Sequence, residues 1–262
     1  SELDDLAARV AETGPERVTL IMTHGDWDHV LGRPWWPEAA IVAHDGFAAQ
    51  VRERSASILE KTRAAVERAG ERWERGFEPV VPTRAVSGLR FEKIGPWRVV
   101  LRDADGHSAT MLSTHLPERR LLIAADLLSD IEIPMVKTSV AAYRKTLEEL
   151  VPLVEHGAIE TLVPGHGAIA RTPDEVMTRL TRDLHYLEGL EHGVRQARSR
   201  GLSIEETVQA LETMEYTGKH ADYSMVDDHR RNVRLAFEQS VLGPASNGGS
   251  SRAASGRGGQ AS

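Results

Sequence analysis

The sequence predicts a layered α/β fold whose last third is all helical, and three observations predict it. Short apolar, β-branched runs recur along the chain, bounded by Gly, Pro or polar turns, as buried strands require. Stretches with apolar residues at helical spacing lie between and after them. Several of the runs end directly in a loop that carries His or Asp. Layered α/β folds place their sites at such strand ends, where a rigid sheet positions the loops.

Taken in order, residues 2–13 (ELDDLAARVAET) carry Leu3, Leu6 and Val10 on one helical face, and Gly14-Pro15 stops that helix. Arg17 to Met22 (RVTLIM) reads as a buried strand that opens into Thr23 to His29, Thr-His-Gly-Asp-Trp-Asp-His. Gly32 to Pro37 is too proline-rich for regular structure. Its Trp35 and Trp36 are expected to pack that loop onto the core rather than to wall a pocket. Ala40 to Ala43 is a short strand, with His44 structural at its end. Gly46 to Arg75 is one long charged helix or two, its Glu and Arg side chains forming a solvated face. A strand follows near Arg84 to Val86, and residues 89–103 form a hairpin turning at Gly95-Pro96. Ala109 to Thr114 and Leu121 to Ala125 are two further strands, and Leu127 to Met135 is a loop that can approach substrate. Val140 to Val154 is an amphipathic helix cut short by Pro152. His156 at its end is accounted for by the helix dipole. Ile159 to Val163 is the last strand and runs into Pro164-Gly165-His166-Gly167.

Thr172-Pro173-Asp174-Glu175 then supplies a helix start: a cap, a proline in the first turn and acids at the positive pole. Val176, Leu180, Leu184, Leu187, Leu190 and Val194 continue at helical spacing toward Gly201. Ser203 with Glu206 forms a capping box for a second helix through Met214. A loop over Lys219 to Val226 and a final helix from about Asp227 to Leu242 complete the ordered chain. His220, Asp222, Tyr223 and His229 in this region are expected at the surface. From Gly243 a Gly/Ser/Ala-rich tail is expected to be disordered. The expected division is therefore a catalytic domain over 1–171, a helical extension over 172–242 and a tail over 243–262.

Four nitrogen or oxygen donors, His24, Asp26, Asp28 and His29, stand together at the first strand end. Such donors are those that borderline and hard divalent metals take. His107, Asp126 and His166 each sit where a later strand gives way to a loop. HGDWDH, then GHS, AAD and PGHG, resemble the metallo-β-lactamase superfamily, whose usual signature is HxHxDH followed by a His, an Asp and a His. The resemblance covers roughly residues 1–170. It implies an αβ/βα sandwich with the site at one edge of two packed sheets. It also implies a first metal held by His24, Asp26 and His107, a second held by Asp28, His29 and His166, and Asp126 bridging the two. The implied activity is metal-assisted hydrolysis of an ester, thioester, lactone or lactam. Two divalent ions, zinc before iron or manganese, would activate a water that Asp28 also orients or deprotonates. The helical C-terminal part resembles extensions that cover substrate in several branches.

Two departures bear on this resemblance. Asp26 stands at the second His, and its added negative charge and harder oxygen are expected to weaken the first site for zinc and open it to iron or manganese. The motif also begins as early as Thr23, so strands that usually precede it are expected to be missing, leaving a sheet edge open to self-association. Two other readings stand beside the hydrolase: a non-heme iron oxidoreductase of the same fold, and a non-catalytic binding module. The first is favoured by a carboxylate at the second His position but lacks a following flavin-binding domain; the second is opposed by the retained donors.

Composition narrows the classes further. A net charge of −7 argues against a nucleic-acid surface, so the expected partner is a small-molecule substrate. The absence of cysteine removes disulfides, thiolate ligands and thiol nucleophiles together. No apolar run approaches membrane-spanning length and no signal-peptide pattern opens the chain, which leaves the cytoplasm as the default location.

Overall fold

The computed structural model describes residues 2–214, 216 and 223–241, and in it two sheets lie face to face between helices. The first sheet holds three parallel strands in the order β1 (Thr19–Ile21), β2 (Ala40–His44) and β3 (Arg84–Val86). The second runs β4 (Leu89–Ile94), β5 (Trp97–Asp103), β6 (Leu112–Leu116), β7 (Leu121–Ala125) and β8 (Thr161–Pro164). It is antiparallel as far as β7, which pairs in parallel with β8. The helices are α1 (Glu2–Glu12), α2 (Phe47–Glu53), α3 (Ser55–Arg68), α4 (Val140–Glu148), α5 (Val151–Glu155), α6 (Pro173–Ser199), α7 (Ile204–Leu211) and α8 (Tyr223–Val241).

The two-residue period of β2 shows how the layers are held. Ile41 and Ala43 face Phe47, Val51 and Ile58 of α2 and α3. Val42 points the other way, onto Val99, Leu101 and Leu112 of the second sheet. On the far side of that sheet, Leu122, Ala124 and Leu162 share one cluster with Tyr143, Leu147, Leu180, Leu187, Leu190 and Val233. The order helix, sheet, sheet, helix is the αβ/βα sandwich, with the C-terminal helices built into its largest core.

Several boundaries differ from the sequence reading, each for a local reason. The charged helix breaks at Arg54 into α2 and α3 and ends at Arg68 rather than Arg75. The stretch from Val140 divides into α4 and α5, with Pro152 tolerated in the first turn of α5, where no intrahelical N–H is needed. β6 starts at Leu112 instead of Ala109, because Met111 N turns back to Ser108 O at 3.1 Å. α8 begins at Tyr223 within the expected loop, and the buried Met225 anchors its first turn. Trp35 departs from the expected packing onto the core: it is half-buried, its Nε1 donates to Asp4 Oδ1 at 2.7 Å, its ring lies against Trp73 and under Arg75, and together with Trp36 it lines a cavity. The tail from Gly243, together with His220 and Asp222, lies outside the described residues.

His229 corrects the expectation of a surface position. It is buried, with Nδ1 2.9 Å from Tyr186 Oη and Nε2 2.8 Å from Leu211 O. Nearby, Tyr216 Oη sits 2.7 Å from Asp183 Oδ1 and 2.9 Å from Glu132 O. One phenol proton serves the carbonyl, and a protonated Asp183 can donate to the phenol oxygen in turn. Burial pushes the Asp183 carboxyl up to about 6, against the pull of Arg182. Because the folded value exceeds the ordinary 3.8, this contribution to stability is whole below about pH 4 and lost as pH rises through about 6. In denaturant titrations across this range, the stability of the parent relative to Asp183→Asn is expected to fall by on the order of 3 kcal/mol between acidic and neutral pH. A difference that stays flat with pH would contradict the assignment.

Candidate metal centre

Five features of the backbone bring the site together. The Thr23 carbonyl at the end of β1 accepts from Leu112 N at 2.8 Å, which ties the motif loop to the second sheet. A single 3-10 turn, Trp27–His29, then folds His29 back until its ring centroid lies 4.2 Å from that of His24. Gly106, at φ 130°, has no room for a Cβ, which would fall 2.3 Å from Tyr143, and this turn drives His107 inward. Ala125 adopts a left-handed φ of 52° beside a register shift between β7 and β8, a conformation that costs a residue with a Cβ on the order of 1 kcal/mol. It turns the next residue, Asp126, into the cluster, and Tyr143 Oη donates to the Asp126 carbonyl at 3.2 Å. Gly165 lets β8 approach, since a Cβ there would stand 2.4 Å from Asp126 Oδ1.

All seven side chains singled out in the sequence meet here. The ligand atoms of His24, Asp26, His107 and Asp126 lie within 4.8 Å of one another, as do those of Asp28, His29 and His166. Asp126 joins the two groups. Its Oδ2 is 3.4 Å from His24 Nε2, 3.2 Å from His107 Nε2 and 3.6 Å from His166 Nε2. Its Oδ1 is 3.0 Å from His29 Nε2, without the alignment of a hydrogen bond. Asp26 Oδ2 reaches His24 and His107 at 3.6 and 3.3 Å, so the shorter side chain still enters the first group. Asp28 Oδ2 lies 3.2 Å from His166 Nε2 and 3.5 Å from His29 Nε2.

The electrostatics are those of buried acids surrounded by donors. Burial opposes ionisation of Asp126, yet the imidazoles of His166, His24 and His29 outweigh it and hold the carboxyl well below the ordinary range. Burial likewise opposes ionisation of Asp26, but His107, His24 and the Lys137 ammonium pull it well down. Asp28 is lowered by His166 and His29 against a burial effect of the same kind. Burial would depress His24, but its contacts with Asp126 and Asp26 raise it. Contacts with Asp126 and Asp28 raise His166 to about 10. His107 is lowered, by burial first and by Lys137 among other charges. Glu132 is raised by burial and by the nearby site carboxylates.

Three participants escape the sequence reading. Thr23 Oγ1 sits 3.1 Å from His24 Nδ1 and 3.2 Å from His29 Nδ1. One hydroxyl oxygen can accept from both Nδ1–H groups, leaving each Nε2 as a bare lone pair aimed into the cluster. Arg54, placed at the break between α2 and α3, donates to Asp26 Oδ1 at 2.9 Å rather than joining the solvated face. Lys137 Nζ donates to Asp26 Oδ2 and stands 3.1 Å from His107 Nε2. A hydroxyl beside the motif His is the one available signal, for Thr23; a lone Lys in an apolar loop gives none.

The donor set fits a divalent metal on its own chemistry. Nε2 of His24, Nε2 of His29 and Oδ1 of Asp126 are buried without a hydrogen-bond partner, a cost that a coordinated cation would remove. All the donors are nitrogen or oxygen, as zinc, iron and manganese accept.

Comparison with known proteins agrees with this geometry. The family model of the metallo-β-lactamase superfamily matches residues 4–166, and the chain belongs to that superfamily. The acyl-coenzyme A thioesterase MBLAC2 of Gallus gallus is 26% identical over 161 residues, 58% of this chain and 57% of the relative's length. Among solved structures, the stereoselective inverting sec-alkylsulfatase Pisa1 of Pseudomonas sp. superposes with a TM-score of 0.63 at 14% identity, covering 88% of this chain and 42% of that one. A metallo-β-lactamase family protein of Thermus thermophilus gives a TM-score of 0.58 at 19% identity over 90% of this chain and 80% of that one. At such identities the two structures speak for the fold alone.

The orienting role of Thr23 is open to a direct test. Thr23→Val keeps the shape and removes the shared acceptor. It is expected to weaken zinc binding by roughly tenfold to a hundredfold, with an unchanged circular dichroism spectrum. Zinc affinity equal to that of the parent would contradict the role.

Proposed function

We propose that this member of the superfamily is a metal-dependent hydrolase that directs an activated water at an ester, thioester, lactone or lactam. The observation that carries the reading is the arrangement of the cluster. Two groups of donors share Asp126, and Asp28 and His166 form the open side, with side chains 25% and 32% exposed. His24 and His107 are fully buried behind them. Substrate therefore approaches from the Asp28 side.

A divalent ion bound there would lower the pKa of a coordinated water toward neutrality and polarise the oxygen of the bond to be broken. His29, His166 and Asp28 would hold one ion, His24, Asp26 and His107 the other, with Asp126 between them. Zinc suits the imidazoles, and the oxygen donors also suit iron or manganese. Asp28 has a second task. Kept ionised by its two imidazole neighbours and open to solvent, it is placed to orient the water and accept its proton. Neither a thiol nor Ser108 competes as a nucleophile, since cysteine is absent and Ser108 is buried, its Oγ accepting from Gln50 Nε2 at 3.3 Å. The thioesterase relative supports thioesters as the first class to try. The negative net charge supports a small molecule over a polyanion as substrate.

Asp28→Asn removes the proton acceptor and keeps the shape. On a panel of acyl-coenzyme A thioesters, aryl esters, lactones and β-lactams, the hydrolysis found with the parent is expected to fall roughly a hundredfold or more, without loss of the thermal transition. Chelation should abolish the same activity and added zinc restore it. Activity of Asp28→Asn within about tenfold of the parent would rule out the role of Asp28 as base.

A further inference from the structure

Lys137 is the one lysine whose ammonium enters the cluster among the described residues, and its placement is built in. It lies on the segment between β7 and α4, where Lys137 N and Thr138 N both donate to Gly106 O, at 3.0 and 3.1 Å. Thr138 Oγ1 donates to Asp105 Oδ1 at 2.6 Å, and Val136 N donates to the buried Asn232 Oδ1 at 2.9 Å. The loop that carries Lys137 is thus stitched to the loop that carries His107 and to α8.

From this anchor the ammonium meets Asp26 Oδ2 and His107 Nε2, two of the three donors peculiar to the first group. The other Asp26 oxygen is taken by Arg54. Of the three, His24 Nε2 alone is left without a hydrogen-bond partner. The second group is different: among the described residues, the ion pairs of Asp28 are with His29 and His166, not with a lysine or arginine. The cation therefore stands on one side of Asp126 only. It also accounts for the departure from the motif, because a neutral imidazole at position 26 could accept a hydrogen bond from an ammonium but not neutralise its charge, whereas a carboxylate does both.

We propose that Lys137 is a tethered cation occupying the first metal position, so that the centre holds one ion tightly at Asp28, His29, His166 and Asp126 and admits a second only when Lys137 withdraws. This rests on the metal-hydrolase reading and deepens it. An incoming divalent ion must break the contacts of the ammonium with Asp26 and His107 or bind against its charge at close range. The Lys137 side chain is 39% exposed, so solvent gives it a way out. Occupancy of the first position then follows metal supply.

The test is zinc titration of the chelator-treated chain by competition with a chromophoric chelator, with ions counted by native mass spectrometry. The parent is expected to take one equivalent tightly and a second at least about a hundredfold more weakly. Lys137→Met keeps the stem and removes the charge, and its second equivalent is expected to bind within about tenfold of the first. Lys137→Gln, neutral and polar, should match it and decides the matter if the Met variant does not fold. Lys137→Arg should behave as the parent. Two tight equivalents in the parent, or a second equivalent equally weak in both neutral variants, overturn the inference and leave the hydrolase reading standing. No tight equivalent in any of these proteins overturns both.

Discussion

The convergence of four imidazoles on the carboxylate of Asp126 is the interaction on which the rest of the structure depends. A carboxylate whose side chain is 4% exposed is costly unless it is paired. Here His24 and His29 come from the loop after the first sheet's β1, and His107 and His166 from the loops around the second. Neither sheet alone could satisfy Asp126. The two sheets must close on each other for the acid to be buried at acceptable cost, and the same closure assembles the donors. The left-handed Ala125 and the missing Cβ at Gly165 are local concessions made to let that carboxylate in.

The C-terminal helices have a part in this beyond covering a core. Arg179 on α6 donates to Leu128 O at 3.1 Å, and Arg182 donates to Ser129 O. Asn232 on α8 donates to Pro134 O at 2.7 Å while accepting from Val136 N. Nearly every turn of the segment from Leu127 to Thr138 is thus held by a side chain from α6 or α8 or by Tyr216. That segment begins next to Asp126 and delivers Lys137 to Asp26. The helices set the shape of the open side of the site, and changes on their inner faces reach the clustered His and Asp side chains through two or three hydrogen bonds.

How much of this is legible in the sequence depends on the range over which each cause acts. Strands and caps act locally, so the hairpin at Gly95-Pro96, the Thr172 cap and the Ser203–Glu206 capping box appear where their residues place them. The seven clustered side chains are legible because they all fall in loops that follow strands, His24, Asp26, His107 and His166 beside a glycine. The break at Arg54 is not, because nothing near it is a helix breaker; the residue leaves the helix pattern in company with an ion pair to Asp26, twenty-eight positions earlier in the chain. Lys137 reaches the same carboxylate across 111 positions. Composition alone puts His229, polar and titratable, at the surface, whereas Tyr186 and the Leu211 carbonyl give it partners inside the core. Long side chains and buried polar partners are the parts that spacing cannot encode.

The central claim is that these seven side chains form a metal centre organised about Asp126. Anomalous diffraction from crystals grown with zinc, measured on either side of the zinc absorption edge, tests it most directly. The expected result is a strong peak within coordinating distance of His29, His166 and Asp126, with any second peak weaker and on the His24 and His107 side. Crystals soaked in zinc that show no peak near Asp126, or show one only at surface carboxylates, would contradict it.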